Sequence, residues 1–175
     1  MERDYGVMCA SVDEGRQRDL QRDWGTQVVL IGNPGVGKTF LAKVLAWACQ
    51  ANQRVLFITA MDVLNHLLAS QVDHCLVRKL KAYTEPSLLV CDELGYLALD
   101  QQTSNLFYQV ISTRHSHKRS TVITTNTPFS DWGTILLNTT IATAIADGLV
   151  ENSELFLLGG ESLRKANKNS DPPAE

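Results

Sequence analysis

Val28-Val29-Leu30-Ile31-Gly32-Asn33-Pro34-Gly35-Val36-Gly37-Lys38-Thr39 is the stretch from which the rest of the chain is read. Its first four residues are an uninterrupted apolar, largely β-branched run, the pattern of a strand buried on both faces in a parallel sheet. The next eight fit G-x-x-x-x-G-K-[ST], and Leu41, Val44, Leu45 and Ala48 then recur at helical spacing over about 38–51. In a strand–loop–helix context this pattern is a phosphate-binding loop. Its glycines let backbone N–H groups turn inward around phosphates, and the helix N-terminus adds a favourable dipole. Lys38 is expected to reach the β- and γ-phosphates and Thr39 to offer its hydroxyl to Mg²⁺, with Gly32, Asn33, Pro34, Gly35, Val36 and Gly37 completing the nucleotide cradle. An ordinary glycine turn is the weaker reading once that context is counted.

Outward from the loop, apolar runs alternate with helical patterns. Val55–Ile58, Leu88–Cys91, Ser120–Thr125 and Leu155–Leu158 read as further strands. Residues 61–83 read as two helices broken near Gln71–Asp73, and Thr103–His115 and roughly Trp132–Val150 as helical stretches. That alternation predicts an α/β domain with a five-stranded, mostly parallel sheet. The third run delivers Asp92 and Glu93 at its C-terminal edge, where open α/β sheets bind ligands. Asp92 is expected to hold Mg²⁺ through water and Glu93 to orient and deprotonate the attacking water. Thr124-Thr125-Asn126 ends the fourth run with a polar residue able to reach a γ-phosphate or the lytic water, although Asn at a strand end commonly just begins a turn.

Composition narrows the class. The chain has 175 residues, 44% hydrophobic and 20% charged, values of one ordinary globular domain rather than a disordered chain. No apolar run approaches the ~18–20 residues a membrane span needs, and the N-terminus lacks the order of a signal peptide, so a cytoplasmic protein is expected. Cys9, Cys49, Cys75 and Cys91 show no C-x-x-C spacing, so neither a disulfide nor zinc is expected. Net charge is −3, against constitutively strong nucleic-acid binding. Residues 1–23 hold six acids and four bases and residues 147–175 six and three, leaving a mildly basic middle of seven and nine. From Gln101 to Ser130 there is no acid, while Arg114, Lys118 and Arg119 fall there with His115 and His117. A weak polyanion contact and a solvated helix end explain that run equally well. Trp47 and Trp132 sit near apolar helix positions and are expected to pack.

The phosphate loop, Asp92-Glu93 with Leu94-Gly95-Tyr96-Leu97, Thr125-Asn126, Pro128-Phe129-Ser130-Asp131-Trp132-Gly133 and Gly160-Glu161-Ser162 together resemble the IstB-like transposition helper ATPases. These are AAA+ proteins related to the DnaC-like helicase loaders. The resemblance covers about Gly25–Arg164 and implies a three-layer P-loop ATPase core over 25–164; the polar, charge-dense composition of 1–24 reads as an arm, and the Asn, Lys, Ser and Pro-Pro of 165–175 as a disordered tail. It implies that Asn126 is the sensor-1 residue, that Arg164 is the sensor-2 arginine, and that the Asn126 strand lies between the phosphate-loop and Asp92 strands. It also implies that the helices within 61–83 line a DNA channel, with Arg78, Lys79 and Lys81 as the expected phosphate contacts. A solvated amphipathic face accounts for those three residues equally well.

Two departures stand out. Where the family reads Asp-Arg-Leu, its arginine acting on a neighbouring subunit's nucleotide, this chain reads Asp147-Gly148-Leu149. An arginine finger is worth about 10³–10⁵ in turnover, so feeble hydrolysis is expected. Family members also carry a longer helical region before the core, and here about 24 residues precede it. The resulting expectation is an ATP- and Mg²⁺-binding homo-oligomer that assembles weakly on DNA and assists a transposase. The alternatives are a loader acting on a replicative helicase and a nucleotide-dependent scaffold with little turnover.

Overall fold

Alternation along single strands organises the molecule. In β1 (Gln27–Gly32), Val28 and Leu30 enter one apolar cluster while Val29 and Ile31 enter another, on opposite faces of the sheet. In β3 (Leu88–Leu94), Leu88 and Val90 join the first cluster and Leu89 and Cys91 the second; in β4 (Ser120–Thr125), Val122 and Ile123 divide in the same way. A strand with both faces buried has no polar side to show, which is why these runs are continuous rather than alternating. The remaining strands are β2 (Val55–Thr59) and β5 (Ser153–Leu158). All four strand pairings are parallel, in the order β2-β3-β4-β1-β5. β4 therefore lies between β1 and β3, as the family resemblance implies.

Parallel neighbours need helical crossovers. α1 (Lys38–Gln50) covers the first face with Ala42 and Ala46. α2 (Ala60–Val72), α3 (Leu76–Thr84), α4 (Gln101–Ser116), a four-residue α5 (Trp132–Ile135) and α6 (Thr139–Val150) supply the larger cluster on the second face. The result is a three-layer α/β P-loop architecture. Thr59 caps α2 directly from the end of β2, its hydroxyl accepting from the Asp62 N–H at 3.1 Å, and Asp100 caps α4 by accepting from the Thr103 N–H at 2.7 Å.

The computed structural model describes residues 25–95, 100–136, 138–150, 153–160 and 162–163. The expected arm (1–24) and tail (165–175), together with Tyr96, Leu97, Glu161 and Arg164, lie outside the described residues.

Three sequence expectations change. The helical stretch over 132–150 divides into α5 and α6 and is preceded by a 3-10 turn at Phe129–Asp131. Trp132 packs as expected, 1% exposed, its Nε1–H donating to the Thr127 carbonyl at 3.1 Å and its ring 4.5 Å from that of Phe129. Trp47 does not: it is 78% exposed and shares the outer face of α1 with Phe40 and Val44. Helical spacing there is real, but Ala42 and Ala46 define the buried face. Arg114 carries no polyanion contact, because it is fully buried and its donors are spent inside the protein.

Candidate functional site

The ends of β1, β3 and β4 converge at one edge of the sheet, around a cavity of about 310 Å³. Pro34, Gly35, Gly37, Lys38 and Thr39 form one wall; Glu93, Thr124, Thr125 and Asn126 form the other. The loop's glycines have specific steric causes. Gly32 lies where a Cβ would fall 2.3 Å from the Leu158 carbonyl oxygen, so its β5 pairing admits no side chain. Gly35 and Gly37 adopt φ of +88° and +96°, a region costly for residues with a Cβ. The loop is held from outside by the Leu163 N–H, which donates to the Gly35 carbonyl at 3.0 Å.

Lys38, 8% exposed, donates to the carbonyls of Gly32 and Asn33 at 2.7 and 2.9 Å, so its ammonium is folded over the loop it belongs to. Thr39 Oγ1 donates to Asp92 Oδ1 at 3.1 Å, joining the loop to β3. One hydroxyl and one carboxylate are an all-oxygen donor set. Mg²⁺ suits such a sparse set, since it keeps several waters and takes its remaining oxygens from substrate phosphates. The residues present therefore fit both the nucleotide phosphates and the ion. Asp92 is 4% exposed, whereas its neighbour Glu93 is exposed toward the cavity. Asn126 is half-buried just beyond β4 on the same wall. The structure thus brings together every expected nucleotide-site residue that it describes; Arg164 is the one outside.

The expected DNA contacts are divided. Arg78 and Lys81 line a second, open cavity of about 630 Å³ with Asp73, His74, Cys75 and Val77. Lys79 instead lies 5.7 Å from the centroid of the buried Tyr83 ring. His74, which sequence reasoning left out of this group, reaches the same cavity from the turn between α2 and α3, where its φ is +53°. Thr124 is the second residue that sequence reasoning passed over as a contributor to geometry. Its hydroxyl donates to Asp92 Oδ1 at 2.5 Å and accepts from the Glu93 N–H at 2.8 Å.

Comparison with known proteins identifies the family. Residues 20–171 match a family model described as IstB-like ATP binding protein. An insertion-sequence ATP-binding protein (IS5376) of Geobacillus stearothermophilus is 37% identical over 163 residues, covering 90% of this chain and 64% of that protein. The corresponding IS21 protein of Pseudomonas aeruginosa is 36% identical over 142 residues, covering 81% and 53%. The chain thus spans between about half and two-thirds of the length of these two relatives. Among solved structures, the DnaC helicase loader superposes with a TM-score of 0.68 at 25% identity, covering 85% of this chain and 91% of that one. DnaA bound to AMPPCP and single-stranded DNA superposes at 0.70 with 14% identity, covering 87% and 47%, a likeness of fold.

Proposed function

The chain belongs to the family of IstB-like ATP-binding proteins, and from that premise we propose a Mg²⁺-dependent AAA+ ATPase that assembles on DNA as a homo-oligomer and assists a transposase. The observation that carries the catalytic part is the convergence of Lys38, Thr39, Glu93 and Asn126 on one cavity, with Thr39 hydrogen-bonded to Asp92. The backbone of residues 32–37 and Lys38 would hold the phosphates, with Arg164 as a further contact. Thr39 and Asp92 would hold the ion, which when bound neutralises charge developing on the transferred phosphoryl group. Glu93, the solvent-facing carboxylate of the pair, would accept the proton of the attacking water, and Asn126 would orient that water or the γ-phosphate. The likeness to ATP-binding proteins of insertion sequences supports the transposase as partner; the DnaC likeness supports a replicative helicase as the alternative.

Among the described residues no helix is long and apolar enough to cross a membrane, in keeping with action on DNA in the cytoplasm. The DNA contact is assigned to Arg78 and Lys81, with Lys79 contributing less because it rests over Tyr83. Replacing Arg78 and Lys81 together with alanine is expected to weaken duplex binding and to flatten the dependence of log affinity on log salt by about two. Fluorescence anisotropy at several salt concentrations reads this directly; an unchanged slope removes both residues from the interface.

Gly148 favours a second reading, a nucleotide-bound scaffold with little turnover. It lies on α6, where an added Cβ would meet nothing within 4 Å. A side chain can therefore leave the backbone there without a clash at its Cβ, and replacing a helical glycine adds about 0.5–1 kcal/mol of stability. Gly148→Arg is expected to raise DNA-stimulated turnover at least about tenfold, part of the ~10³–10⁵ that such an arginine supplies elsewhere. The deciding measurement is ATP hydrolysis at several protein concentrations with and without duplex DNA. A parent rate that rises faster than linearly with concentration supports the assembling ATPase, whereas tight binding without turnover supports the scaffold.

A further inference from the structure

We propose that Thr124 is a positioning residue for hydrolysis, its buried hydroxyl fixing the carboxylate of Asp92 and the backbone of Glu93 as a single unit. This rests on the ATPase reading above. Strict strand alternation would send two adjacent residues to opposite faces of the sheet. Asp92 and Glu93 nevertheless serve one site. The register of β3 against β4 shows how: Cys91 pairs with Ile123 and Leu94 with Thr125, so Asp92 and Glu93 together stand opposite Thr124 alone. Two residues against one is a β-bulge, which re-aims a side chain at the cost of its place in the ladder.

Glu93 shows that cost. Its φ is +63°, in the left-handed region, where an ordinary side chain crowds the following carbonyl. Something must hold the backbone there. The hydrogen bonds identify it: the Glu93 N–H can only donate, an ionised carboxylate can only accept, and a hydroxyl does both. The Thr124 hydroxyl therefore gives its proton to Asp92 Oδ1 and takes the Glu93 N–H, at 2.5 and 2.8 Å. Thr124 is fully buried, so water offers no substitute partner. Asp92 Oδ1 in turn accepts from Thr39, so one chain of hydrogen bonds runs from the phosphate loop through the ion-binding carboxylate to the backbone that aims the base. The Thr124 side chain need not touch substrate, because it acts through its two neighbours.

The test compares Thr124→Val, which keeps the shape and loses both hydrogen bonds, with Thr124→Ser, which keeps the hydroxyl. Three readouts are taken: steady-state hydrolysis, affinity for a non-hydrolysable ATP analogue, and hydrogen exchange of the Glu93 amide. Thr124→Val is expected to lower kcat about 10- to 100-fold. Its analogue affinity should stay within about threefold, and the Glu93 amide should lose protection; Thr124→Ser should resemble the parent in all three. In a Glu93→Gln background the valine should lower turnover by a smaller factor than in the parent, since the part of its effect that runs through Glu93 is already lost. Unchanged kcat, loss of analogue binding in proportion to kcat, unchanged amide protection, or a serine as poor as the valine would each overturn the proposal. If the parent has no turnover that Glu93→Gln reduces, the ATPase reading fails instead, while amide exchange still decides whether the tie to Glu93 exists.

Discussion

Glu93→Gln is expected to bind ATP within about threefold of the parent chain while its steady-state hydrolysis falls by about 10²- to 10⁴-fold, the usual contribution of a general base. Glutamine keeps the shape and hydrogen-bonding reach of the side chain but cannot take a proton from water. The backbone that aims it, held at φ +63° by the Thr124 hydroxyl, is unaffected by the exchange. Lys38→Ala serves as the contrast. Its ammonium sits on the loop carbonyls of Gly32 and Asn33, and removing it takes the only side-chain cation from the lining of the cavity among the described residues. Binding itself should then fail, and turnover with it. Titration with a fluorescent ATP analogue, paired with phosphate release, separates the two variants. Turnover of Glu93→Gln equal to the parent's would remove Glu93 from the chemistry, and analogue binding by Lys38→Ala equal to the parent's would remove Lys38 from the phosphate site.

Arg114→Met is expected to produce the largest loss of stability, about 3–4 kcal/mol, because it strands buried acceptors on three segments at once. The guanidinium is fully buried. It donates to the carbonyls of Tyr83 and Pro86 at 2.8 and 2.9 Å, to Thr121 Oγ1 at 3.1 Å, and to the Ser120 carbonyl. It thereby closes the C-terminal end of α3, the turn into β3 and the start of β4 around one side chain. Burial pushes its pKa down to about 10, which leaves it charged at neutral pH and sustained by carbonyl dipoles. Methionine matches the stem but offers no donor. The loss corresponds to a Tm lower by about 6–16 °C for a chain of this size, readable by thermal melting. A change under about 3 °C would mean that water replaces the guanidinium and that the hub is dispensable.

Much of the fold is legible in local pattern. The run Val28–Ile31, the glycines of 32–37 and the apolar residues after Lys38 each report on their own neighbours, so strand, loop and helix follow from spacing. The break between α2 and α3 falls at Asp73–Cys75, within two residues of its expected place, because the apolar stripes of the two helices do not join. Asp92 and Glu93 are legible as a pair of carboxylates at a strand end. How both reach one cavity is not, since the bulge depends on Thr124, a residue 31 positions away from Glu93.

Local pattern therefore specifies the segments, the phosphate loop and the kinds of group at the site; the placement of β4 between β1 and β3 came from family resemblance, not from periodicity. Tertiary structure alone decided that Arg114 is spent inside the protein, that Trp47 faces outward and that Glu93 turns into the cavity. The physical reason is common to all three. Periodicity tells which side of a segment is apolar, but whether a charge is solvated, an aromatic ring covered or a backbone strained depends on desolvation and hydrogen bonds supplied by segments distant in the chain.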